Sequence, residues 1–457
     1  MAEIPLAGAS YDLTPITTQK SVNLEPVVLE ASGVTQFRLK QTPGMVAFST
    51  VAGSPRGALQ MGDYAYFVQG QALYKVDENG AAENLGIVNG SDRVSMAANG
   101  TYVVVVNGSE GYTYNVSTDT FAQITDEDFL AADVVVYLDG YFVFHQTDSD
   151  NVFISALNNP TSFDATEIQA KGGTADYLVT LKVINGDLVL FGGRHSYYWR
   201  NTGNVDFPFQ NIEGAEMQRG CPAVHSVAGI DNSVIFLGDD GIVYWIEGYV
   251  PKRVSNNALE EYLSGLTSTQ IADAYAFAYT QGGQYYYVLT VGGRTWVYNR
   301  TQSLLIQQSL WHERSSNDTV WRAQTHCYAF GKHLVGDDGA IWYLSTTTYV
   351  EGSDVIKRTR RLAPIWAEDE SFTISKLRLL MRVGIGSLTV APMIDLRSSN
   401  DGGYTWTDPK SREVGLEGDY HTTVIWRRMG RSDRKVLEFE WTADANFEPY
   451  GLYADAG

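Results

Sequence analysis

The stretch LGDDGIVYWI (residues 237–246) and its near copy VGDDGAIWYL (residues 335–344) decide the fold. In each stretch Asp-Gly lies between two runs of β-branched and aromatic residues, and Gly supplies the positive φ that a tight hairpin turn requires. Both stretches therefore predict two antiparallel strands joined by a short turn. Because the unit recurs, the sequence indicates an internally repeated architecture.

The same pattern of β-rich run, turn and second β-rich run returns from residue 58 to residue 350. Its turns lie roughly 40–50 residues apart, which is the length of a four-stranded propeller blade. A closed ring of blades also leaves few unpaired strand edges. The predicted fold class is all-β, with a six- or seven-bladed β-propeller. The predicted hairpin turns lie at Gly70, Gly108, Ser149, Gly193, Asp240, Gly292 and Asp338.

The pattern changes near residue 350, where TTTYVEGSDVIKRTRRLAP (residues 346–364) is polar and basic and is typical of a linker. Beyond it, KVLEFEW (residues 435–441) alternates apolar residues with glutamate, as a strand with one buried face does. We expect a C-terminal β-sandwich-like module there. The predicted domains are an N-terminal extended segment joining the propeller (1–57), the β-propeller (58–350) and the β-sandwich module (351–457).

One helix is predicted, within NNALEEYLSGL (residues 256–266). Its leucines and tyrosine recur at helical spacing, so that one face is apolar. Asn257 and Glu260 have the spacing of a capping box. We expect a short helix inserted between two blades.

Composition excludes some classes of function. Hydrophobic residues make up 44% and charged residues 19% of the chain, which is typical of a globular protein. The net charge is −20, and the first 350 residues hold 36 Asp and Glu against 18 Lys and Arg. Conventional DNA binding is disfavoured because it needs a basic surface. An acidic wall is compatible with a passage along which DNA slides without sticking, and acidity can equally serve solubility alone.

Cysteine usage and hydropathy favour a protein made in the cytosol. Cys221 and Cys327 are far apart in sequence, so reduced thiols are expected. The start, MAEIPLAGAS, lacks the basic and apolar regions of a secretory signal. The most apolar run, YVVVV (residues 102–106), is far too short to span a membrane, and no membrane partner is expected.

SSNDGGYTW (residues 398–406) matches the Asp-box turn found in sialidase blades. Asp side chains in such turns accept hydrogen bonds from the turn's own backbone, and a Trp packs beneath the hairpin. We therefore predict a structural turn and no catalytic residue. A sialidase-like glycosidase and a sugar- or receptor-binding propeller remain alternatives at this point. The residues of the predicted structural turn are Ser399, Asp401, Gly403, Thr405 and Trp406.

Two basic clusters are the most suggestive surface features. Arginine is favoured where a carboxylate is bound through two hydrogen bonds, so the clusters predict a contact surface for an acidic partner. A solvated face with internal ion pairing is the alternative. The candidate interface residues are Lys357, Arg358, Arg360, Arg361, Arg427, Arg428, Arg431, Arg434 and Lys435.

Other motifs are weaker. His326, Cys327 and His333 lie close in sequence, but no further ligand pair at regular spacing follows them, so strand residues are expected. GGRHS (residues 192–196) could cradle an anion, but a phosphate loop needs a strand-to-helix context that is missing here. No metal or cofactor is predicted.

Taken in order along the chain, several stretches resemble one family. They are SVNLEPV (21–27), QTPGM (41–45), GDLVLFGGRHSYYWRNTGNVDFPF (186–209), SVIFLGDDGIVYWIEGYVPKRVSNNALE (233–260) and VIWRRMGRSDRKVLEFEW (424–441). In this order the chain resembles the packaged-DNA stabilisation proteins of short-tailed phages, also called tail hub or nozzle proteins. The resemblance covers nearly the whole chain.

The resemblance implies a structural virion protein and no enzyme. It implies a homo-hexameric ring below the portal and its adaptor protein, in the virion tail, assembled in the host cytoplasm. The ring would retain packaged DNA until a tail needle or plug leaves and then serve as the ejection conduit. Tail fibres or spikes would attach nearby, and DNA would pass through the lumen without sequence-specific binding.

Overall fold

The computed structural model describes residues 2–8, 10–14, 16–30, 35–173, 176–367, 370–384 and 390–457. Its strands form a ring of blades followed by a second, smaller β-structure. The N-terminal strands do not form a blade of their own. They are β1 (Ala2–Glu3), β2 (Tyr11–Leu13), β3 (Thr17–Val22), β4 (Leu24–Val28), β5 (Phe37–Gln41) and β6 (Gly44–Thr50).

Blades 1 to 5 are four-stranded antiparallel meanders in chain order. Blade 1 is β7 (Pro55–Met61), β8 (Tyr64–Gln69), β9 (Ala72–Val76) and β10 (Ala82–Ile87). Blade 2 is β11 (Ser95–Ala98), β12 (Tyr102–Val106), β13 (Gly111–Asn115) and β14 (Thr120–Gln123). Blade 3 is β15 (Ala132–Leu138), β16 (Tyr141–Gln146), β17 (Asn151–Ala156) and β18 (Asn159–Ala170). Blade 4 is β19 (Leu178–Ile184), β20 (Asp187–Gly192), β21 (Ser196–Asn201) and β22 (Phe209–Met217). Blade 5 is β23 (Ala228–Ile230), β24 (Ser233–Leu237), β25 (Val243–Glu247) and β26 (Val250–Arg253).

Blades 6 and 7 complete the ring. Blade 6 is β27 (Tyr275–Gln281), β28 (Gln284–Val291), β29 (Arg294–Asn299) and β30 (Trp311–Ser316), with the short β31 (Thr319–Val320) paired to its last strand. Blade 7 is β32 (Thr325–Ala329), β33 (Lys332–Asp337) and β34 (Ala340–Ser345), to which β6 adds the fourth strand. Across the described residues the ring therefore has seven blades, and the predicted β-propeller is confirmed. Each predicted hairpin turn joins the second and third strands of one blade.

The middle strands of the blades are apolar on both faces because each face packs on a different neighbour. In β12, Val103 and Val105 lie in the cluster shared with blade 1, whereas Val104 and Val106 lie in the cluster shared with blade 3. Seven such clusters lie between consecutive blades, the last between blades 7 and 1. This explains why YVVVV is a continuous apolar run instead of an alternating one.

The ring is closed by a strand from the start of the chain. β6 pairs antiparallel with β34 from Gly44↔Ser345 to Thr50↔Ala340. Met45 on β6 is fully buried in the cluster between blades 6 and 7. Residues 44–50, inside the predicted N-terminal segment, thus belong to blade 7, and the predicted propeller boundary at residue 58 falls within β7.

Three short helices occur in the described part of the chain: α1 (Asn257–Ser264), α2 (Ser268–Ala272) and α3 (Arg300–Ile306). The predicted helix is α1, and its buried Leu259 and Leu263 pack between blades 5 and 6. The predicted capping pair of Asn257 and Glu260 needs correction. Asn256 is the N-cap, because its side chain accepts from the Leu259 N–H at 3.0 Å, whereas Glu260 accepts from Arg253 and Ser255.

The C-terminal module is a two-sheet sandwich that incorporates the N-terminal strands. One sheet has the order β1-β45-β39-β42, and the other continues β3-β37-β44-β40-β41. Its core includes Leu6, Leu24 and Leu39 from the N-terminal segment beside Trp426 and Phe439. Two short strands, β35 (Val350–Glu351) and β36 (Asp354–Val355), extend blade 7 beyond β6. The C-terminal strands of the sandwich are β37 (Arg358–Arg361), β38 (Ile365–Trp366), β39 (Phe372–Met381), β40 (Met393–Ser399), β41 (Lys410–Glu413), β42 (Val424–Arg427), β43 (Arg431–Ser432), β44 (Arg434–Trp441) and β45 (Pro449–Ala456).

The propeller and the sandwich are joined by β3. It pairs parallel with β30 of blade 6 at Val22↔Glu313 and antiparallel with β37 of the sandwich. Blade 6 and one sandwich sheet are therefore one continuous hydrogen-bonded sheet. The predicted segment 1–57 contributes to both halves of the molecule.

Candidate interaction surfaces

The predicted Asp-box turn forms between β40 and β41 of the sandwich. Asp401 accepts the backbone N–H groups of Tyr404 and Thr405 at 3.0 and 2.9 Å, and it accepts the Thr405 hydroxyl at 2.5 Å. Ser399 Oγ donates to Asp401 at 2.6 Å and accepts the Gly403 N–H at 2.8 Å. Hydrogen bonds from Ser399 and Thr405 hold the pKa of the Asp401 carboxyl well below its usual range.

Trp406 braces the same turn against the sandwich. Its indole N–H donates to the Gly403 carbonyl at 3.0 Å, and the Arg361 guanidinium lies 4.7 Å from its ring centroid. Arg361 in turn forms an ion pair at 2.8 Å with Glu438, and the Glu438 side chain is almost fully buried. The side chains of Ser399, Asp401, Thr405 and Trp406 thus bond within the turn, which is the geometry expected of a structural turn.

The first basic cluster is mostly interior, which corrects its interpretation as a contact surface. Arg360 is 1% exposed and donates to the carbonyl oxygens of Leu6 and Gly8 at 2.7 and 3.2 Å. Arg358 is 0% exposed and donates to the Tyr349 carbonyl at 2.7 Å. Burial lowers the pKa of both guanidinium groups. Neither residue can reach a partner, since both bind backbone oxygens inside the fold.

The other members of that cluster are paired. Lys357 forms ion pairs with Asp318 and Glu440, each at 3.2 Å. Lys435, from the second cluster, is also interior: it is 0% exposed and donates to Asn400 at 2.5 Å and to the Met429 carbonyl at 2.9 Å. Lysine and arginine are rarely buried without such partners, and the sequence does not show which carbonyl oxygens will surround them.

The remaining arginines of the second cluster do form a surface, which we call the arginine edge: Arg427, Arg428, Arg431 and Arg434. The first three are exposed and Arg434 is half-buried. No ion pair joins these four side chains to any residue in the described ranges. Trp366, on β38, pairs with Arg434 in the sheet and is 56% exposed. The edge thus offers unpaired guanidinium groups beside an exposed aromatic ring.

Arg428 has a backbone conformation that few non-glycine residues adopt, with φ of 57°. It is held there because its N–H donates to the Ser375 carbonyl and that of Met429 donates to the Ile374 carbonyl, each at 3.0 Å. Met429 is buried in the sandwich core. Anchoring of the next residue therefore fixes the backbone of Arg428, whose side chain points away from the core.

A cavity of about 540 Å³ lies on the axis of the propeller and is lined by the inner strands of all seven blades. Arg93, Lys182 and His225 line it, and no Asp or Glu is among its described lining residues. Sequence reasoning missed this cluster because its members are far apart along the chain. The available signal is Lys182 in LVTLKVI (residues 178–184), a lysine within an otherwise apolar strand.

The weaker motifs are explained by the fold. His326 and His333 stack on neighbouring strands, with 3.1 Å between His326 Nε2 and His333 Nδ1. Cys221 and Cys327 are buried free thiols.

In GGRHS, the N–H groups of Arg194 and His195 do bind an anionic group, the Asp176 carboxylate, at 2.8 and 3.1 Å. Among the described residues, no three His, Cys, Asp or Glu side chains are arranged to hold a metal ion. In those ranges, no helix is long and apolar enough to cross a bilayer.

Comparison with known proteins gives a family for both halves. Residues 2–349 match the model described as bacteriophage P22 Gp10, beta-propeller, and residues 359–457 match that described as bacteriophage P22 Gp10, beta-sandwich. No curated protein matches the sequence.

Similar solved structures include two with comparable scores. One is PorZ of the type-IX secretion system of Porphyromonas gingivalis, at 11% identity and a TM-score of 0.42, covering 72% of this chain and 44% of PorZ. Another is the β-propeller domain of Cps50 (Swd1) from Myceliophteria thermophila, at 10% identity and a TM-score of 0.42, covering 66% of this chain and 100% of that domain. The chain thus spans less than half of PorZ.

Proposed function

Because the chain belongs to the bacteriophage P22 Gp10 family and is a phage tail structural protein, we propose that it is the tail hub, or nozzle, of its virion. In this proposal six copies form a ring below the portal and its adaptor protein. The ring closes the head-to-tail channel, retains packaged DNA and later becomes the ejection conduit. Assembly takes place in the host cytoplasm.

The observation that carries the proposal is the continuous sheet from blade 6 through β3 into the sandwich. A hinge between two domains would let copies in a ring move independently, and gaps would open under the pressure of packaged DNA. A shared sheet instead makes the propeller and the sandwich move as one rigid unit. Rigid blades also present fixed side surfaces for contact between copies.

Charge supports a lumen that DNA passes without adhering. The net charge of the chain is −20, and most of this excess lies in the first 350 residues. Phosphates near such a surface are repelled, which reduces sticking during transit. We propose that acidic side chains of the blade loops line the lumen of the ring, and that DNA is not bound sequence-specifically.

The arginine edge supports an acidic protein partner. Its four guanidinium groups lack internal ion pairs with the described residues, and carboxylates are the groups that such forks bind best. We propose that this edge contacts one of the tail partners: the portal adaptor, the needle or plug, or a fibre or spike protein. It is the part of the predicted interface residues that remains available to a partner.

Electron microscopy of the full chain mixed with purified portal–adaptor complexes tests the proposal. The expected result is a ring of six copies below the adaptor, with an acidic lumen. Persistent monomers, or a ring with a basic lumen, would contradict it. A triple variant, Arg427→Glu, Arg428→Glu and Arg431→Glu, should lose partner binding while its melting temperature stays near that of the wild type. The matched control, Lys252→Glu with Arg294→Glu, changes exposed charges on the propeller and should bind normally.

A further inference from the structure

The axial cavity of the propeller has the size of a ligand site. Its volume is about 540 Å³, and inner-strand residues of every blade contribute to its wall. Small-molecule sites fall in the same range of volume and are walled by rigid elements. Strands of seven blades fix this wall, so its polar groups are held in place before any ligand arrives.

The charge of the wall is opposite to that of the protein. The chain holds 53 Asp and Glu against 33 Lys and Arg, yet the ionisable groups along the described wall are basic, apart from Tyr side chains. The cations come from separate parts of the ring. Lys182 lies on the inner strand of blade 4, and Arg93 and His225 lie just before blades 2 and 5. Their convergence is a property of the fold and not of a local basic run.

Neither of the two strong cations is neutralised. Arg93 donates to the Gln324 carbonyl at 3.0 Å and lies over the Tyr275 ring at 3.4 Å, but no described carboxylate pairs with it. The backbone of Lys182 pairs with Val189 in the blade, but its ammonium group makes no hydrogen bond or ion pair with any residue in the described ranges, and burial lowers its pKa. Both side chains are half-buried, and a partly desolvated cation without an anionic partner costs free energy, because its lost hydration is not replaced.

Arg56 shows what a purely structural cation looks like in the same place. It is 3% exposed, and its guanidinium donates to the carbonyl oxygens of Gly70, Val88 and Asn89 at 2.8 to 2.9 Å. Its hydrogen-bonding capacity is used by the chain itself. Lys182 has no such acceptors, so its donors are available to a molecule in the cavity.

We propose that the axial cavity binds one small oxyanion of the phosphate class, held by the Lys182 ammonium and the Arg93 guanidinium. Phosphate oxygens accept strong, charge-assisted hydrogen bonds from both groups. Burial and the charges of Arg93 and Lys182 lower the pKa of His225 to about 4. His225 is therefore neutral at pH 7 and can donate one further hydrogen bond to the anion. The inference stands on the isolated chain and does not depend on the proposed tail function.

Isothermal titration calorimetry of the full chain with inorganic phosphate, at constant ionic strength maintained with chloride, tests the proposal. We expect saturable binding with one site per chain and a melting temperature that rises with phosphate concentration, as ligand linkage requires. Sulfate should compete, and acetate should bind more weakly because it offers fewer oxygens. A phosphate effect that chloride reproduces at equal ionic strength would overturn the proposal.

Lys182→Met keeps the length and volume of the side chain and removes its charge. We expect phosphate affinity to fall about tenfold or more, while the phosphate-free variant is as stable as the wild type or more so. The control Lys252→Met removes an exposed lysine on blade 5 that is paired with Glu247, and it should bind phosphate normally. Equal binding by wild type and Lys182→Met would overturn the assignment. If Lys182→Met does not fold, Arg93→Gln serves the same comparison, and the absence of saturable binding to the wild type is by itself decisive.

Discussion

Asn23 and Ser315 are joined by two side-chain-to-backbone hydrogen bonds, and each residue donates one of them. Asn23 Nδ2 donates to the Ser315 carbonyl at 3.0 Å, and the Ser315 N–H donates to Asn23 Oδ1 at 3.1 Å. The same amide donates to the Lys357 carbonyl at 2.8 Å. One side chain thus joins the N-terminal segment, blade 6 and the start of the sandwich. Asn23 also has φ of 57°, a conformation that Asn tolerates better than most residues.

Asn23→Ala should therefore weaken the joint between propeller and sandwich. It removes buried hydrogen bonds and places Ala in a left-handed conformation, and we expect a loss of about 2–4 kcal/mol. Thermal unfolding of the purified chain measures it. Asn23→Gly relieves the backbone strain without restoring the bonds, so it should recover part of the loss. A Gly variant as stable as the wild type would show that the amide contributes nothing.

Arg360→Leu should release the N-terminal segment from the sandwich. The carbonyl oxygens of Leu6, Gly8 and Lys20 lose a buried donor, which costs about 2–4 kcal/mol. Limited proteolysis should then cut within the first twenty residues faster than in the wild type. Arg431→Leu removes an exposed arginine and should change stability by no more than about 0.5 kcal/mol. Equal effects of the two variants would contradict the structural role of Arg360.

Met45→Ala tests closure of the ring by β6. Met45 is fully buried between blades 6 and 7, and truncation of such a side chain costs about 2–5 kcal/mol. Because β6 is the fourth strand of blade 7, hydrogen exchange should accelerate in residues 340–345, which pair with it. Ala47→Ser, at an exposed position of the same strand, is the control and should leave exchange unchanged. Unaltered exchange in Met45→Ala would argue against closure by this strand.

Asp401→Asn should destabilise the sandwich in a pH-dependent way. The pKa of Asp401 is lowered in the folded state by hydrogen bonds from Ser399 and Thr405. Its contribution is therefore fully present above the unfolded pKa of about 3.9 and is lost as the pH falls towards the lower folded value. The variant should melt several degrees below the wild type at pH 7, and the gap should narrow below about pH 4. A gap independent of pH would mean that the charge of Asp401 is not involved.

The stacked histidine pair, His326 and His333, should make the propeller sensitive to acid. His333 Nε2 lies 2.7 Å from the Thr280 carbonyl, so it carries the proton and donates, and His333 Nδ1 accepts from His326. Burial and His333 lower the pKa of His326 from 6.5 to about 3. Between pH 6.5 and about pH 3, the unfolded chain binds a proton on His326 that the folded chain does not bind. The free energy of unfolding therefore falls as the pH drops below 6.5, by at most about 1.4 kcal/mol per pH unit for this group.

His326→Phe keeps an aromatic ring against Phe277, which stacks on His326 at 5.4 Å. From pH 7 to pH 4 the melting temperature of the wild type should fall more steeply than that of this variant, because only the wild type must keep His326 uncharged. His195→Phe, a histidine outside the pair, serves as the reference. If the two curves stay parallel, the pair does not titrate with folding.

The seven hairpins could be predicted because each turn and its strands are adjacent in sequence. Strand β6 could not be placed, since its partner β34 lies at the other end of the propeller and only tertiary pairing identifies it. The same holds for Leu24 and Leu39, which fill the sandwich core from the far end of the chain. Arg358 and Arg360 were wrongly predicted to lie on a contact surface, because a buried arginine and a solvated one look alike in sequence. The Asp-box was predictable, since its acceptors and donors all lie within a few residues.

Closure of the ring by β6 has a consequence for synthesis of the chain. Strand β6 leaves the ribosome before any blade is complete, and its pairing strand, residues 340–345, follows only after blades 1 to 6 have been translated. Until then the nascent propeller is an open arc with an exposed edge at each end. The sandwich must wait longer still, because β1 pairs with β45 at the carboxyl end. Pairing of β6 with β34, and later of β1 with β45, are therefore late steps in folding, and a chain that lacks residues 340–345 cannot close the ring through β6.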